Sequence, residues 1–454
     1  MVKDLTSGKP LKLILQVTIP LIFGNLFQQL YSMADTIIVG QFLGKDALAS
    51  VGATGCLNFL IIGFVQGVCS GFSIPIAQSF GAGDHERLRR CVASAVWLGA
   101  GLTLVLTTAT VLWCREILVL LNTPENILDG AYQYLVVIFA GIGATFLYNV
   151  LAGFLRALGD SKSPLIFLVI SSVLNVGLDL CFIIALDSGV AGAAWATVIS
   201  QGISGLLCFA YILKKFPILR VRRGEWRPVP DHIKRMLSTG VPMGLQFSIT
   251  AIGSIVLQSA VNGLGSDAVA AVTASSKVSM LLSSPLEALG ITCATYSGQN
   301  LGAGRIDRVR KGVSCSLVLS TGWSVVICLV AAFFGSTAAQ LFLDSGETAI
   351  LARVDQYLTF CGLTYFLLGS LLVFRNTIQG LGYGVPAMAA GLFEMIARAA
   401  VGIGLVGRFG FDAVCLANPA AWVAANILLI PVYTIVIRHL QRSYPNFNGK
   451  TCQK

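Results

Sequence analysis

Charge is what this chain has least of. Only 11% of its 454 residues are charged, against roughly a quarter in a soluble protein. Histidine is scarcer still: His85, His232 and His439 are the three in the chain, each in or beside a basic loop, which speaks against a metal site. The 12 cysteines never form a C-x-x-C pair, so neither a zinc site nor a disulfide framework is indicated. The glycine-rich runs at 81–83 and 302–304 are not followed by G-K-[ST], so they are turns rather than phosphate cradles. No other nucleotide-binding motif occurs, and an ion gradient must supply any energy the protein uses. No nucleophile, metal cluster or acid–His pair is present, so the chain is not read as an enzyme. The N-terminal stretch Met1 to Lys12 is polar, and the first apolar run is too long for a cleaved signal peptide.

What is present in abundance is apolar sequence. Hydrophobic residues make up 55% of the chain and the mean hydropathy is +0.79. A helix crosses a bilayer with about 20 apolar residues, and the runs here give twelve spans: 13–43, 48–79, 89–113, 127–157, 163–186, 190–213, 234–264, 268–300, 310–334, 348–380, 385–408 and 412–438. The expected fold is therefore all-α and polytopic. Pro20, Pro75, Pro242 and Pro285 fall in or near spans and are expected to bend them.

The net charge of +10 does not indicate nucleic acid, because the basic residues cluster in alternate loops. Lys and Arg crowd the N-terminus, 87–90, 156–162, 214–235, 305–311 and the stretch from 438 onward. By the positive-inside rule these segments and both termini are cytoplasmic. The basic stretch 214–233 is expected to lie against anionic lipid.

The two halves repeat. QSFGAGDHERLRR at 78–90 matches QNLGAGRIDRVRK at 299–311, and LGKDALASV at 43–51 matches LGSDAVAAV at 264–272, both at an offset of 221. GVAGAAWA at 189–196 matches GFDAVCLA at 410–417 at the same offset, and RALGDSKSP at 156–164 resembles QGLGYGVP at 379–386 with one residue of slip. Such order points to duplication. It predicts a six-helix lobe over 1–213, a linker at 214–233 and a second lobe over 234–454.

Few polar groups lie deep in the spans. Asp35 sits in an apolar run, where an acid is a functional hypothesis by default. From the span ends, Asp35 lies roughly 13 Å deep, and Asp179 and Thr197 roughly 12 Å, at 1.5 Å per helical residue. Asn175 and Asp179 share a helix face, as do Tyr31 and Asp35, with Gln28 a turn further along. In the second half Asp35 corresponds to Val256 or Leu257, and Asp179 to Ala400 or Val401, so the acid pair belongs to one half. Glu394 and Arg398 have the spacing of an intrahelical ion pair. Glu287 is a candidate substrate contact or a partner of Lys277, and Arg375 is a further deep charge.

These pieces together resemble the prokaryotic multidrug and toxic compound extrusion (MATE) transporters. The resemblance is carried by Pro20-Leu21-Ile22, ADTIIVGQFLG at 34–44, the paired Q-x-x-GAG turns, RALGDSKSP, LNVGLD at 174–179 and GAAWAT at 192–197. It implies two six-helix lobes, alternating access, and drug efflux driven by inward flow of protons or sodium ions. In the DNA-damage-inducible F-type branch, a first-lobe cation site falls on Asp35, Asn175, Asp179 and Thr197, where sodium would bind. Gln28, Tyr31 and Asn149 match positions lining that lobe's cavity. The expected partners are small organic cations and membrane lipid, with the protein a monomer in the cell membrane and no cofactor beyond the coupling ion. A flippase for lipid-linked oligosaccharides, the alternative within the wider superfamily, would need a large basic cavity. Lys277, Arg375 and Arg398 are too few for one.

Overall fold

The computed structural model describes residues 3–121, 123–339 and 348–443. Those residues are helical throughout, with no strand among them. The helices are α1 (Pro10–Leu43), α2 (Lys45–Gly81), α3 (His85–Leu112), the short α4 (Cys114–Leu120), α5 (Glu125–Ala140), α6 (Ile142–Ala157), α7 (Lys162–Leu180) and α8 (Gly189–Lys215). After two short turns come α9 (Pro230–Asn262), α10 (Ser266–Gly302), α11 (Ile306–Ala339), α12 (Thr348–Gly380), α13 (Gly384–Gly404), the short α14 (Val406–Phe409) and α15 (Phe411–Ser443). Eleven of these are long and apolar enough to cross a membrane, and α5 with α6 makes a twelfth span.

That twelfth span departs from the continuous helix expected over 127–157. It breaks at Gly141, with a bend of 47° between α5 and α6. A Cβ at Gly141 would lie 2.2 Å from Cγ2 of Val198 on α8, so only glycine admits that neighbour. Pro20, Pro75, Pro242 and Pro285 all lie inside uninterrupted helices. The span over 163–186 also divides: α7 passes into a π turn over Cys181–Ala185.

Two compact units form. One holds Lys3, Asp4 and the described residues of Pro20–Gly244, and the other holds Leu5–Ile19 and the described residues from Leu245 onward. The chain-order lobes follow the repeat, whereas these units follow packing: the boundary runs through α1 and α9. In the first unit, Gly67 and Gly71 of α2 face Gly240 and Gly244 of α9. A Cβ on Gly71 would come within 2.5 Å of the Gly240 Cα, and one on Gly67 within 2.5 Å of the Met243 carbonyl oxygen. Small residues four apart on both helices permit this backbone approach, a packing mode suited to lipid, where hydrophobicity does not drive helices together. The basic stretch is packed on this unit as well. Arg89 Nη2 lies 2.7 Å from Glu225 Oε1, the Arg222 N–H donates to Glu225 Oε2 at 2.8 Å, and Trp97 Nε1 donates to the Trp226 carbonyl at 3.0 Å. Arg89 beside it, aided by that N–H, holds the Glu225 carboxyl below the usual carboxylate range.

In the second unit the segment entering α1 is fixed by side chains around the second glycine-rich turn. The Leu5 N–H donates to Gln299 Oε1 at 2.9 Å, and Arg308 donates to the carbonyls of Leu5 and Gly8 at 3.2 and 2.9 Å.

The duplication is written in the backbone. Gly44 and Gly265 have φ of 86° and 94°, Gly83 and Gly304 of 69° and 70°, and Gly189 and Gly410 of 57° and 58°. Each pair is 221 apart. Gly159 and Gly382, at 78° and 92°, are 223 apart. Left-handed φ costs a side chain energy that glycine escapes, so the turns hold glycine in both copies. The two glycine-rich turns close identically: Ala82 and Gly83 donate to Gln78 and Phe80, and Ala303 and Gly304 to Gln299 and Leu301. They are helix C-caps.

Candidate functional site

Deep in the spans of the first unit lie two buried carboxylates, from α1 and α7. Asp35 is 8% exposed, Asp179 0% and Asn175 1%. Asp179 lies within electrostatic reach of Asp35. Asn175, one turn before Asp179 on α7, has its amide oriented so that nitrogen donates to Asp179 Oδ2 at 3.3 Å and oxygen accepts from the Thr197 N–H of α8 at 3.3 Å. The helix widens into its π turn two residues beyond Asp179, and π turns recur at functional sites. Three helices thus bring together Asp35, Asn175, Asp179 and Thr197, the four residues expected from depth and face.

One oxygen of each acid, Asp35 Oδ1 and Asp179 Oδ1, is buried without a hydrogen-bond partner among the described residues. Burying a polar atom unpaired is costly, and two neighbouring carboxylates that are both ionised repel. A proton or a hard cation relieves both costs. The donor chemistry is all oxygen: two carboxylates, an amide and a threonine hydroxyl, which suits a hard cation rather than a soft one.

The other expected residues divide. Tyr31 lines a small cavity with Asn175, Thr197, Ser171, Ser200 and Gln201, and it lies within electrostatic reach of both acids. Gln28 is half-buried a turn earlier on α1 and is not part of that lining. Asn149 turns its amide back along α6, donating to the Thr145 carbonyl at 2.8 Å. Glu287 belongs to the second unit, is exposed there, and has Arg375 as its charged neighbour. Lys277 is exposed.

Two residues escaped the sequence reading. Tyr134 of α5 is 6% exposed and lies within electrostatic reach of Asp35, Asp179 and Tyr31. Its recurrence as Tyr357, 223 residues on, was the available signal. Arg375 was visible as a deep charge but not as a partner. In the second unit Glu394 bonds Arg398 as the i,i+4 spacing requires, at 3.3 Å, and also Arg375, more closely, at 2.9 Å. The expected neutral pair is a triad with two guanidiniums on one carboxylate.

Comparison with known proteins agrees with this architecture. The MatE family model matches residues 20–181 and again 242–403. Among curated relatives, the probable multidrug resistance protein YoeA of Bacillus subtilis (strain 168) is 30% identical over 371 residues, covering 80% of each chain. The probable multidrug resistance protein YpnP of the same organism is 29% identical over 393 residues, covering 86% of this chain and 87% of the relative. A solved structure described as the outward-facing conformation of a multidrug resistance MATE family transporter superposes with a TM-score of 0.90. It is 24% identical, and the match covers 96% of this chain and 98% of that one. The twice-matched family model, the glycine turns repeated in both halves and the shared fold lead to one conclusion: this chain belongs to the MatE family of multi-pass membrane transporters.

Proposed function

We propose that this protein is a secondary active antiporter. It exports small organic cations from the cell in exchange for protons or sodium ions admitted at Asp35, Asn175, Asp179 and Thr197. The observation that carries this reading is the pair of buried carboxylates, each with an unpartnered oxygen, on two spans whose apolar runs hold no other charge. An intramembrane acid marks an ion or proton pathway. The curated relatives YoeA and YpnP are named as probable multidrug resistance proteins, and export of drugs accounts for resistance.

The exchange follows from charge balance. With both carboxylates ionised, the site favours a cation, and an aromatic cation gains further from Tyr31 and Tyr134 through their ring faces. Arrival of a proton or sodium ion from outside neutralises the pair and removes that attraction, so the drug leaves outward. Reloading on the cytoplasmic side needs the ion to dissociate first. The chain sits in the cell membrane as a monomer with both termini in the cytoplasm and the basic segment 214–233 against anionic lipid. The four positions match the F-type branch of the family.

The test is ethidium efflux from cells expressing the full chain. A protonophore or a sodium ionophore should abolish efflux, and Asp35→Asn and Asp179→Asn should do the same at normal membrane abundance. Efflux that survives collapse of both gradients would refute antiport.

A further inference from the structure

The second unit carries a copy of the same site, and the packing fixes which residues correspond. On α7 the buried positions Leu168, Ser171, Asn175 and Asp179 map at an offset of 223 onto Gly391, Glu394, Arg398 and Gly402 of α13, all buried. At 222 they would fall on Ala390, Phe393, Ala397 and Val401, of which Phe393 is exposed. The offset of 223 also relates α5–α6 to α12, whose ends coincide. On α1, buried Ile14, Val17, Asp35 and Val39 map at 222 onto Met236, Thr239, Leu257 and Val261 of α9, all buried. Between α8 and α15 the offset is 221, fixed by Gly189 and Gly410.

The counterparts are then Leu257 for Asp35, Tyr357 for Tyr134, Arg398 for Asn175, Gly402 for Asp179 and Asn418 for Thr197. These residues are assembled as their counterparts are. Arg398 Nε donates to Asn418 Oδ1 at 3.2 Å, and Asn418 Nδ2 donates to the Tyr357 hydroxyl at 2.8 Å. Leu257 and Gly402 adjoin, a Cβ at Gly402 lying 3.8 Å from the Leu257 Cα. Both carboxylates of the first unit are gone, and a guanidinium stands beside their positions. Its counter-charge is Glu394, which occupies the register of Ser171.

We propose that Arg398 is a tethered cation that permanently fills the second unit's copy of the ion site, so that one unit exchanges ions and the other cannot. This rests on the first-unit reading given above. A guanidinium cannot be deprotonated in a protein, and Arg398 is buried, at 7% exposure. Glu394, the acid facing it, is bonded to two arginines. Glu287 on α10 lies within reach of Arg375 instead. Where the first unit has two acids and a removable cation, the second has one acid and a cation that cannot leave.

The reading predicts a conditional gain. Purified full-length protein in detergent is scored for bound ion by proton uptake against an indicator dye and by equilibrium binding of radioactive sodium. The parent is Asp35→Asn/Asp179→Asn, expected to bind neither ion at the site. Adding Leu257→Asp and Gly402→Asp while Arg398 is retained should restore nothing, because the guanidinium satisfies the new acids. Adding Arg398→Asn as well should restore about one cation per chain. Gly402 has room: a Cβ there makes only ordinary contacts, and it borders an open groove of about 400 Å³. Glu287, Glu394 and Arg375 are common to all variants and cancel in the difference. Equal binding with and without Arg398, or no gain in a monodisperse Arg398→Asn variant, overturns the proposal. A second measurement avoids the added acids. If wild type binds two cations and Asp35→Asn/Asp179→Asn/Glu287→Gln still binds one, the second unit has a working site and the tethered-cation reading fails. If wild type binds none, the first-unit reading fails instead.

Discussion

Replacing Glu394 with glutamine isolates the energetics of the second-unit triad. The carboxylate is 4% exposed and holds Arg375 at 2.9 Å and Arg398 at 3.3 Å. Arg375 Nε and Arg398 Nη1 are already buried without partners among the described residues, so the cluster has no spare acceptor. Glutamine keeps the shape and one acceptor but removes the charge, taking the cluster from a formal +1 to +2. Removing one partner of a buried ion pair costs about 3–5 kcal/mol, and two guanidiniums depend on this one, so a loss of about 4 kcal/mol is expected. Adding Arg398→Met returns the formal charge to +1 and should recover about half of that. In a chain of this size each kcal/mol moves a thermal midpoint by about 2 °C. The single variant should therefore melt about 8 °C lower, and the double variant about 4 °C lower. The assay is tryptophan fluorescence during heating of the full-length protein in detergent at fixed scan rate. A single variant that melts within a degree of wild type, or a double variant less stable than the single, refutes the argument.

Three further outcomes are expected. Asp35→Asn and Asp179→Asn should each reduce efflux to background while leaving abundance and melting near wild type, and the double variant should be no worse, since members of one site fail together; additive partial losses would contradict a single site. Arg89 holds the Glu225 pKa below the ordinary carboxylate value, so its contribution is present above that range and lost as pH falls through the folded-state value; tryptophan fluorescence should report release of the segment carrying Trp226 there, and tryptic cleavage at Arg222 and Arg223 should be fast at neutral pH in Glu225→Gln but not in wild type. Gly71→Leu should lower the thermal midpoint more than Gly101→Leu, because a side chain at Gly71 meets the backbone of Gly240 whereas nothing lies within 4 Å at Gly101.

Span count and repeat were legible because they rest on periodic, redundant signals. Apolar runs set the helices, and the left-handed glycines set the turns twice over. The convergence of Asp35, Asn175, Asp179 and Thr197 was legible for a related reason: an acid in lipid stands out against an apolar background, and helix rise converts sequence distance into depth. The break at Gly141 was not, since the run over 127–157 stays apolar through it and the close approach of Val198 from another helix leaves no mark in that pattern. Nor was the Glu394 triad, because i,i+4 spacing predicts a partner on the same helix but is silent about Arg375 on α12. The local bond of Asn149 was not legible either: an asparagine in lipid can satisfy its donor on the preceding turn, as this one does with Thr145. The counterpart of Asp179 was expected at Ala400 or Val401. It is Gly402, because burial, not residue similarity, sets the register of α13, and the first copy holds two more residues between its glycine turns than the second.

The two copies show which constraints survive duplication. Gly44, Gly83, Gly159 and Gly189 each have a partner with nearly the same φ, since a backbone conformation forbidden to other residues leaves no substitute. Tyr134 and Tyr357 persist as buried rings at equivalent points, both under 10% exposed. The charged positions kept no such identity. What a buried site must satisfy is its charge balance, and two solutions meet it: carboxylates with an exchangeable cation, or a carboxylate with a covalently attached one. Once the first solution stands in one unit, the second can drift to the other without losing the fold, because Arg398 and Glu394 fill the same helix face that Asn175 and Ser171 fill. On the tethered-cation proposal, divergence of this kind would make the ion response one-sided, with acids deep in the spans unmatched between halves while the turns are matched.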